Sequence, residues 1–218
     1  MVSQTQNLIA FENQYCAQNY APLPVVIEKA QDVWMWDVNG QKYLDFLGGY
    51  SALSHGHGHP QLIKILVEQA HILSMTSRAV YTKQLAKISE KLCTVSGLSK
   101  VLPMNTGAEA VDTALKAARR WGYQKKKIPT DKAEIIVAHN NFHGRTMGAV
   151  SLSSTPSSRK HFGPLLQGIQ SVPFGNIAAI KHAVTPHTCA VFLEPIQGEA
   201  GVILPPPGYL KAVRELTQ

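Results

Sequence analysis

The chain has 218 residues, 44% of them hydrophobic and 16% charged, with a net charge of +7. That balance excludes a disordered polyelectrolyte, and the length suffices for a real core, about 70% of the unfolded surface being buried in chains of this size. No run approaches the roughly 18 apolar residues of a membrane span, the N-terminus carries no secretory pattern, and no arginine precedes Arg78 as in a transit peptide. Three scattered cysteines, Cys16, Cys93 and Cys189, form no CxxC pair, so inert thiols in a reduced, cytoplasmic setting are expected.

In chain order, residues 1–30 read as irregular, broken at Pro22-Leu23-Pro24. Residues 33–38 and 41–46 flank Asn39-Gly40 and predict a β-hairpin with a type I′ turn. Gly48-Gly49 ends it, and 54–60, Ser-His-Gly-His-Gly-His-Pro, reads as a loop. A helix is predicted over 60–73, with Leu62, Leu66, Ala70 and Leu73 on one stripe, and another over 82–95, with Leu85, Ile88 and Leu92 inward. Then strands and helices alternate. Strands are expected at 100–104, 134–138, 169–173 and 189–194; helices at 106–123, 145–152, 178–184 and 208–217. That alternation predicts an α/β fold with a mostly parallel, buried sheet flanked by helices. The last helix stops without a cap or a following strand, which points to a sheet cut in mid-unit or to a terminal helix that simply docks on the sheet.

Charge is uneven. Residues 116–127 hold Lys116, Arg119, Arg120, Lys125, Lys126 and Lys127 without an acid, and 135–193 contain no Asp or Glu. Such a stretch suits an anionic ligand or is simply a solvated basic face. Aromatics make up only 7% and do not interleave with the basic residues, so nucleic acid is disfavoured.

Three segments carry the chemistry. The first is Val101 to Ala110. Thr106 and Glu109 have capping-box spacing, Gly107 removes bulk where free N–H groups point outward, and Gly122 reads as the helix's C-terminal cap. Val111, Ala114, Leu115, Ala118 and Trp121 form its apolar stripe, and Arg119 and Arg120 stand in its last turn. A helix N-terminus with a glycine at a strand's end can hold an anion or be an ordinary turn. The segment is neither a P-loop nor a GxGxxG turn. The second, His139 to Thr146, offers Phe142, His143 and Arg145 for ring stacking and a carboxylate fork, or is a surface loop. The third, Phe192 to Gly201, brings Glu194 and Glu199 to a strand's carboxyl end, where ligands of open α/β sheets gather. His55, His57 and His59 lack acids or cysteines at ligand spacing, which argues against a metal, and no GxSxG elbow supports a hydrolase.

Gly49-Tyr50-Ser51-Ala52, Gly56 to Pro60, Thr76 to Tyr81, Met104 to Ala110, Asn141 to Thr146 and Glu194 to Gly201, in this order and spacing, closely resemble the ornithine aminotransferases. These belong to the class III pyridoxal-phosphate aminotransferases of fold type I. The resemblance covers nearly the whole chain from about Val25. It implies an incomplete large domain of that fold over 51–218, preceded by a segment, 1–50, that contributes a β-hairpin to a small domain. It also implies pyridoxal 5′-phosphate as cofactor. Thr106, Gly107 and Ala108 would hold its phosphate, Phe142 would stack on its ring with His143 beside it, and Glu194 would support it. Tyr50, Tyr81, Arg145 and Glu199 would bind substrate. His143 departs from the pattern, since ornithine aminotransferases often carry Trp there and acetylornithine aminotransferases typically His. The implied reaction moves the side-chain amino group of ornithine to 2-oxoglutarate, giving glutamate semialdehyde and glutamate, in a homodimer. Acetylornithine or 4-aminobutyrate as donor, or a non-catalytic remnant of the fold, are the alternatives. The family's Schiff-base lysine and pyridinium-pairing aspartate lie beyond the last matching segment, so an N-terminal half without activity of its own is expected.

Overall fold

The computed structural model describes residues 3–218. The chain divides into two compact units, Met1–Lys87 and Ile88–Gln218.

The first unit opens on a helix where irregular chain is expected: α1, Gln4–Tyr15. Ser3 starts it with a full capping box, accepting from Gln6 N while the Gln6 side chain accepts from Ser3 N. That box was present in the sequence as Ser-x-x-Gln. Strands β1 (Ile27–Gln31), β2 (Trp34–Asp37) and β3 (Lys42–Leu44) form an antiparallel sheet in that order, so the expected hairpin gains a third strand. Its turn is not type I′. Only Gly40 is left-handed, and Asp37 pairs with Gln41 around a three-residue loop. The cause is Asp37, whose carboxylate accepts from the Asn39 and Gln41 amides and from the Tyr43 hydroxyl. Burial opposes ionisation there, but those hydrogen bonds outweigh it and hold the Asp37 carboxyl below its ordinary value. Lys42 Nζ sits 3.8 Å from the centroid of the Trp34 ring on the sheet's open face.

Next come a short turn, α2 (Gly48–Ser51), and the helices α3 (Pro60–Ile72) and α4 (Lys83–Ser96). The two helices form close to where periodicity places them. Their stripes are not buried: Leu62, Leu66, Leu73, Ile88 and Leu92 are exposed. Periodicity records a face built for packing, and the described residues put nothing over it.

The second unit holds every buried apolar residue among those described. No strand forms at 100–104, where Val101 and Leu102 are exposed; a strand needs a neighbour to hydrogen-bond, and this segment has none in the described residues. Helix α5, Gly107–Gln124, follows. Strands β4 (Glu134–Ala138), β5 (Ile169–Val172) and β6 (Thr188–Phe192) form a parallel sheet in the order β5-β4-β6. Helices α6 (Met147–Leu152) and α7 (Pro156–Arg159) lie between β4 and β5, α8 (Ile177–Ala183) between β5 and β6, and α9 (Tyr209–Leu216) comes last.

Beyond the half-buried Glu134, central strand β4 is buried on both faces from Ile135 to Ala138, as an apolar run in a parallel sheet requires. Ile135 and Val137 pack with Leu115 and Leu152 of α5 and α6 on one face. Ile136 packs with Val172, Ile180, Tyr209 and Val213 under α8 and α9 on the other. Each such fully buried aliphatic side chain stabilises the fold by about 1.5–3 kcal/mol. The chain leaves β4 across one face and β5 across the other, which opens a crevice at the carboxyl end of β4.

Gly122 corrects an expectation. It does not cap α5; the helix runs on to Gln124, which also moves Arg119 and Arg120 out of the last turn. A β-carbon at Gly122 would stand 2.8 Å from Cys189 Cβ and 3.1 Å from Ile128 Cδ1. Gly122 is there to let α5 lie against β6. The stripe ahead of it is buried at Leu115 but open at Trp121.

Candidate functional site

Three backbone segments meet at the carboxyl end of β4 and β6. The first is the start of α5. Thr106 Oγ1 accepts from Glu109 N at 3.1 Å. The Glu109 carboxylate reaches past the cap and accepts from Asn105 N at 2.9 Å, so the expected box is present but displaced by one residue. Gly107 is exposed, with no atom within 4 Å of where a β-carbon would lie. Glu109 N is taken by this cap and Ala110 N by Thr106 O, which leaves the N–H groups of Gly107 and Ala108 at the open start of the helix, with the helix dipole behind them.

The second segment leaves β4. Asn141 is buried and donates through Nδ2 to Ala138 O and Leu152 O, at 2.7 and 2.8 Å, folding the loop back on the strand it left. Phe142 then projects outward, 45% exposed, while His143 turns in, 8% exposed, edge-on to Phe192 at 4.9 Å between centroids. His143 Nε2 is buried without a hydrogen-bond partner. Burial holds the imidazole below its ordinary pKa, so it is neutral at physiological pH. Gly144, at φ +115°, brings the loop down on α5: its β-carbon position is 3.4 Å from Ala108 Cβ. The contact is of ordinary van der Waals length; it is the backbone angle that favours glycine here.

The third segment leaves β6. Glu194 accepts from Phe142 N at 3.1 Å, and Gln197, 2% exposed, donates from Nε2 to His139 O at 2.8 Å. These two bonds join the loops after β4 and β6.

Thr106, Gly107, Ala108, Phe142, His143 and Glu194 are thus gathered in one place. Arg145 and Glu199 line a cavity of about 590 Å³ beside them, along with Phe142, His143, Met147 and Phe162. Among the described residues that line it, Arg145 is the one Lys or Arg and Glu199 the one acid. Tyr50 and Tyr81 belong to the first unit, where Tyr50 sits in a left-handed turn and Tyr81 is 97% exposed. Sequence reasoning gave no role to Asn141, Gln197 or Thr146, and read Asp112 only as an acid in an early turn of α5 that matches the helix dipole. For Asn141 and Gln197 the signal available was a polar residue just past a strand end, which a chain must supply when a loop folds back over a buried strand. The histidine loop forms no metal cluster of three or more ligating residues among those described, and His57 Nε2 is bonded to Asp45 Oδ2 at 2.7 Å.

A parallel sheet, an open helix N-terminus, an outward aromatic and a cavity with one Arg and one Glu stand together in an α/β protein, a set of groups able to accept a small, flat, anionic ligand. The model of the class-III aminotransferases matches residues 15–218, and the chain belongs to that family. Ornithine aminotransferase 2 of Staphylococcus saprophyticus is 54% identical over 215 residues, 99% of this chain and 54% of its own length. The crystal structure of the Toxoplasma gondii ornithine aminotransferase superposes with a TM-score of 0.94 at 43% identity, over 98% of this chain and 51% of that one. Acetylornithine aminotransferase of Elizabethkingia anophelis follows at 0.82 and 45%, over 97% and 52%. The chain spans about half the length of these relatives.

Proposed function

We propose that the site binds pyridoxal 5′-phosphate and belongs to an aminotransferase that takes the side-chain amino group of ornithine and passes it to 2-oxoglutarate, yielding glutamate semialdehyde and glutamate. One observation carries the reading. Gly144 lies close to Ala108, which sets an outward aromatic face beside an open helix N-terminus, an arrangement that suits a phosphorylated heteroaromatic ring. The buried, unpartnered Nε2 of His143 supplies a polar atom that awaits a partner at the same place. Among known proteins, a second Toxoplasma ornithine aminotransferase structure is described with partial occupancy of PLP at its active site.

When bound, this cofactor supplies an electron sink for amino-group transfer. Amides of Gly107 and Ala108, with Thr106 fixing the turn, bind the phosphate. The Phe142 ring covers one face of the pyridine and excludes water. Neutral His143 stays beside the ring without adding charge. Glu194, by holding Phe142 N, fixes the height of that ring. The Arg145 fork takes a substrate carboxylate and Glu199 supplies an acidic substrate-binding group on the same cavity; Tyr50 and Tyr81, in the first unit, are assigned to substrate by the family resemblance alone. Residues 1–50 are assigned to a small domain and 51–218 to the first part of the cofactor domain, in a cytoplasmic homodimer acting on amino and 2-oxo acids. Amino-group transfer itself belongs to the whole protein rather than to this half-length chain. Among the described residues, no helix is long and apolar enough to cross a membrane.

The test is a titration of the chain with pyridoxamine 5′-phosphate, which cannot react with stray lysines. Binding at least tenfold tighter than inorganic phosphate, weakened roughly fivefold to tenfold in Phe142→Ala, is expected from the loss of one stacked face. Equal affinity for the two ligands overturns the reading. Donor choice is read from a chimera in which this chain replaces the matching half of the Staphylococcus protein. Ornithine is expected to outpace N-acetylornithine; the reverse favours the acetylornithine reading that His143 supports.

A further inference from the structure

The first turn of α5 and the Phe142–Arg145 loop contact different parts of a ligand, so their spacing must be held by something. Gly144 on Ala108 is a contact, not a fastening. In the next turn of α5, the half-buried Asp112 accepts a hydrogen bond from Thr146 Oγ1 at 3.0 Å. The same Thr146 oxygen accepts from Ala149 N at 3.1 Å and so caps α6. Beside them, a β-carbon on Gly148 would run into the Asp112 carboxylate. Position 148 therefore has to be glycine for Asp112 to occupy this place. A short polar chain, Asp112 to Thr146 to Ala149 N, ties the helix that presents the anion site to the helix that follows the aromatic loop.

We propose that Asp112 is a positioning residue that locks the phosphate-binding turn of α5 to the Phe142–Arg145 loop, so that the two halves of the ligand are bound as one. The proposal rests on the phosphate-and-ring reading above. Asp112 touches no ligand; it acts through Thr146. Its signature is therefore selective. A ligand that uses both segments loses affinity when the lock opens, whereas one that uses only the helix N-terminus does not.

The experiment titrates the full chain and its variants with pyridoxamine 5′-phosphate and, separately, with inorganic phosphate. Asp112→Ala is expected to weaken pyridoxamine 5′-phosphate roughly tenfold, because two binding segments lose their common register, and to leave phosphate within twofold. Asp112→Asn keeps an acceptor for Thr146 and is expected to restore binding to within threefold. Gly148→Ala, which displaces the carboxylate from the other side, is expected to resemble Asp112→Ala and replaces it if that variant does not fold. An equal loss for both ligands, or no loss for either, overturns the proposal. Hydrogen exchange without ligand separates it from the reading on which it rests. In Asp112→Ala the amides of Phe142 and Ala149 are expected to exchange at least tenfold faster while those of β5 stay unchanged. If wild-type protein binds pyridoxamine 5′-phosphate no better than phosphate, the cofactor reading fails, and the lock then stands or falls on this exchange result. Unchanged exchange at Phe142 and Ala149 overturns the lock even where the cofactor binds.

Discussion

His143 and Phe142 are neighbours in sequence with opposite fates, and the difference is what makes the loop useful. Asn141 ties the backbone to Ala138 and Leu152, so the next side chain must point out and the one after it in. The inward position is apolar, against Phe192, and disfavours a charged imidazole. A depressed folded-state pKa means that the unfolded chain takes up a proton the folded chain refuses. Stability is therefore unaffected above about pH 6.5 and falls as pH drops through that value, levelling off below the folded-state pKa. His143→Phe keeps the edge-on ring contact and cannot titrate. Melting temperatures of the two proteins between pH 7.5 and 5.5 should diverge, the wild type losing more on acidification. A constant difference across that range would show that His143 is not held neutral by burial.

At the level of elements, α5 shows what a sequence pattern conveys and where it stops. Thr106, Glu109 and Leu115 marked its start and its inner face. Strand β4 was equally legible, because Ile135 to Ala138 is too short and too apolar to be anything but a covered strand. Gly122 misled, because a glycine near a helix's end reads as a terminator, while the atoms that explain it, in Cys189 and Ile128, lie elsewhere in the chain. The missing strand at 100–104 has a similar origin: periodicity describes one segment, and a strand exists only with its neighbour. Helix α1 was overlooked for a third reason, a polar helix with a weak apolar stripe declared by its cap alone. The site residues on strand ends were readable from motif and topology, but Asp112 was not, since its partner Thr146 is 34 positions away. The Gly122 account is checked by Gly122→Ala. The added methyl group must displace β6 or α5, and overpacking of this kind costs about 1–3 kcal/mol. Urea unfolding should show a lower midpoint with an unchanged slope. Stabilisation, the usual effect of Gly→Ala inside an exposed helix, would contradict it.

The whole molecule is uneven in how its parts are held. Ile88–Gln218 contains two apolar clusters on either side of β4, whereas in Met1–Lys87 the only fully buried residue among those described is Asp37, a polar one. Helix α3 carries Ile63, Ile65, Leu66 and Ile72 on the outside, and α4, which runs from the first unit into the second, has Ile88 and Leu92 exposed. Local hydrogen bonds form these helices, but isolated helices of this length are marginal without a packed face. In Tyr50 and Ser51 the backbone also sits at φ +56° and +68°, a region that costs a residue other than glycine roughly 1–2 kcal/mol. These facts predict two levels of protection rather than one cooperative unit. In hydrogen exchange followed by mass spectrometry, amides of Ile135 to Ala138 should be the slowest. Peptides from 47–96 should exchange orders of magnitude sooner, at a rate that β4 does not share. Addition of pyridoxamine 5′-phosphate should slow the peptide containing Phe142 and leave 60–72 unchanged, because the proposed phosphate and ring contacts all lie in the second unit. Uniform protection of both units would mean that the exposed faces of α3 and α4 are covered in solution, and the apparent weakness of the first unit would then disappear with its partner's identification.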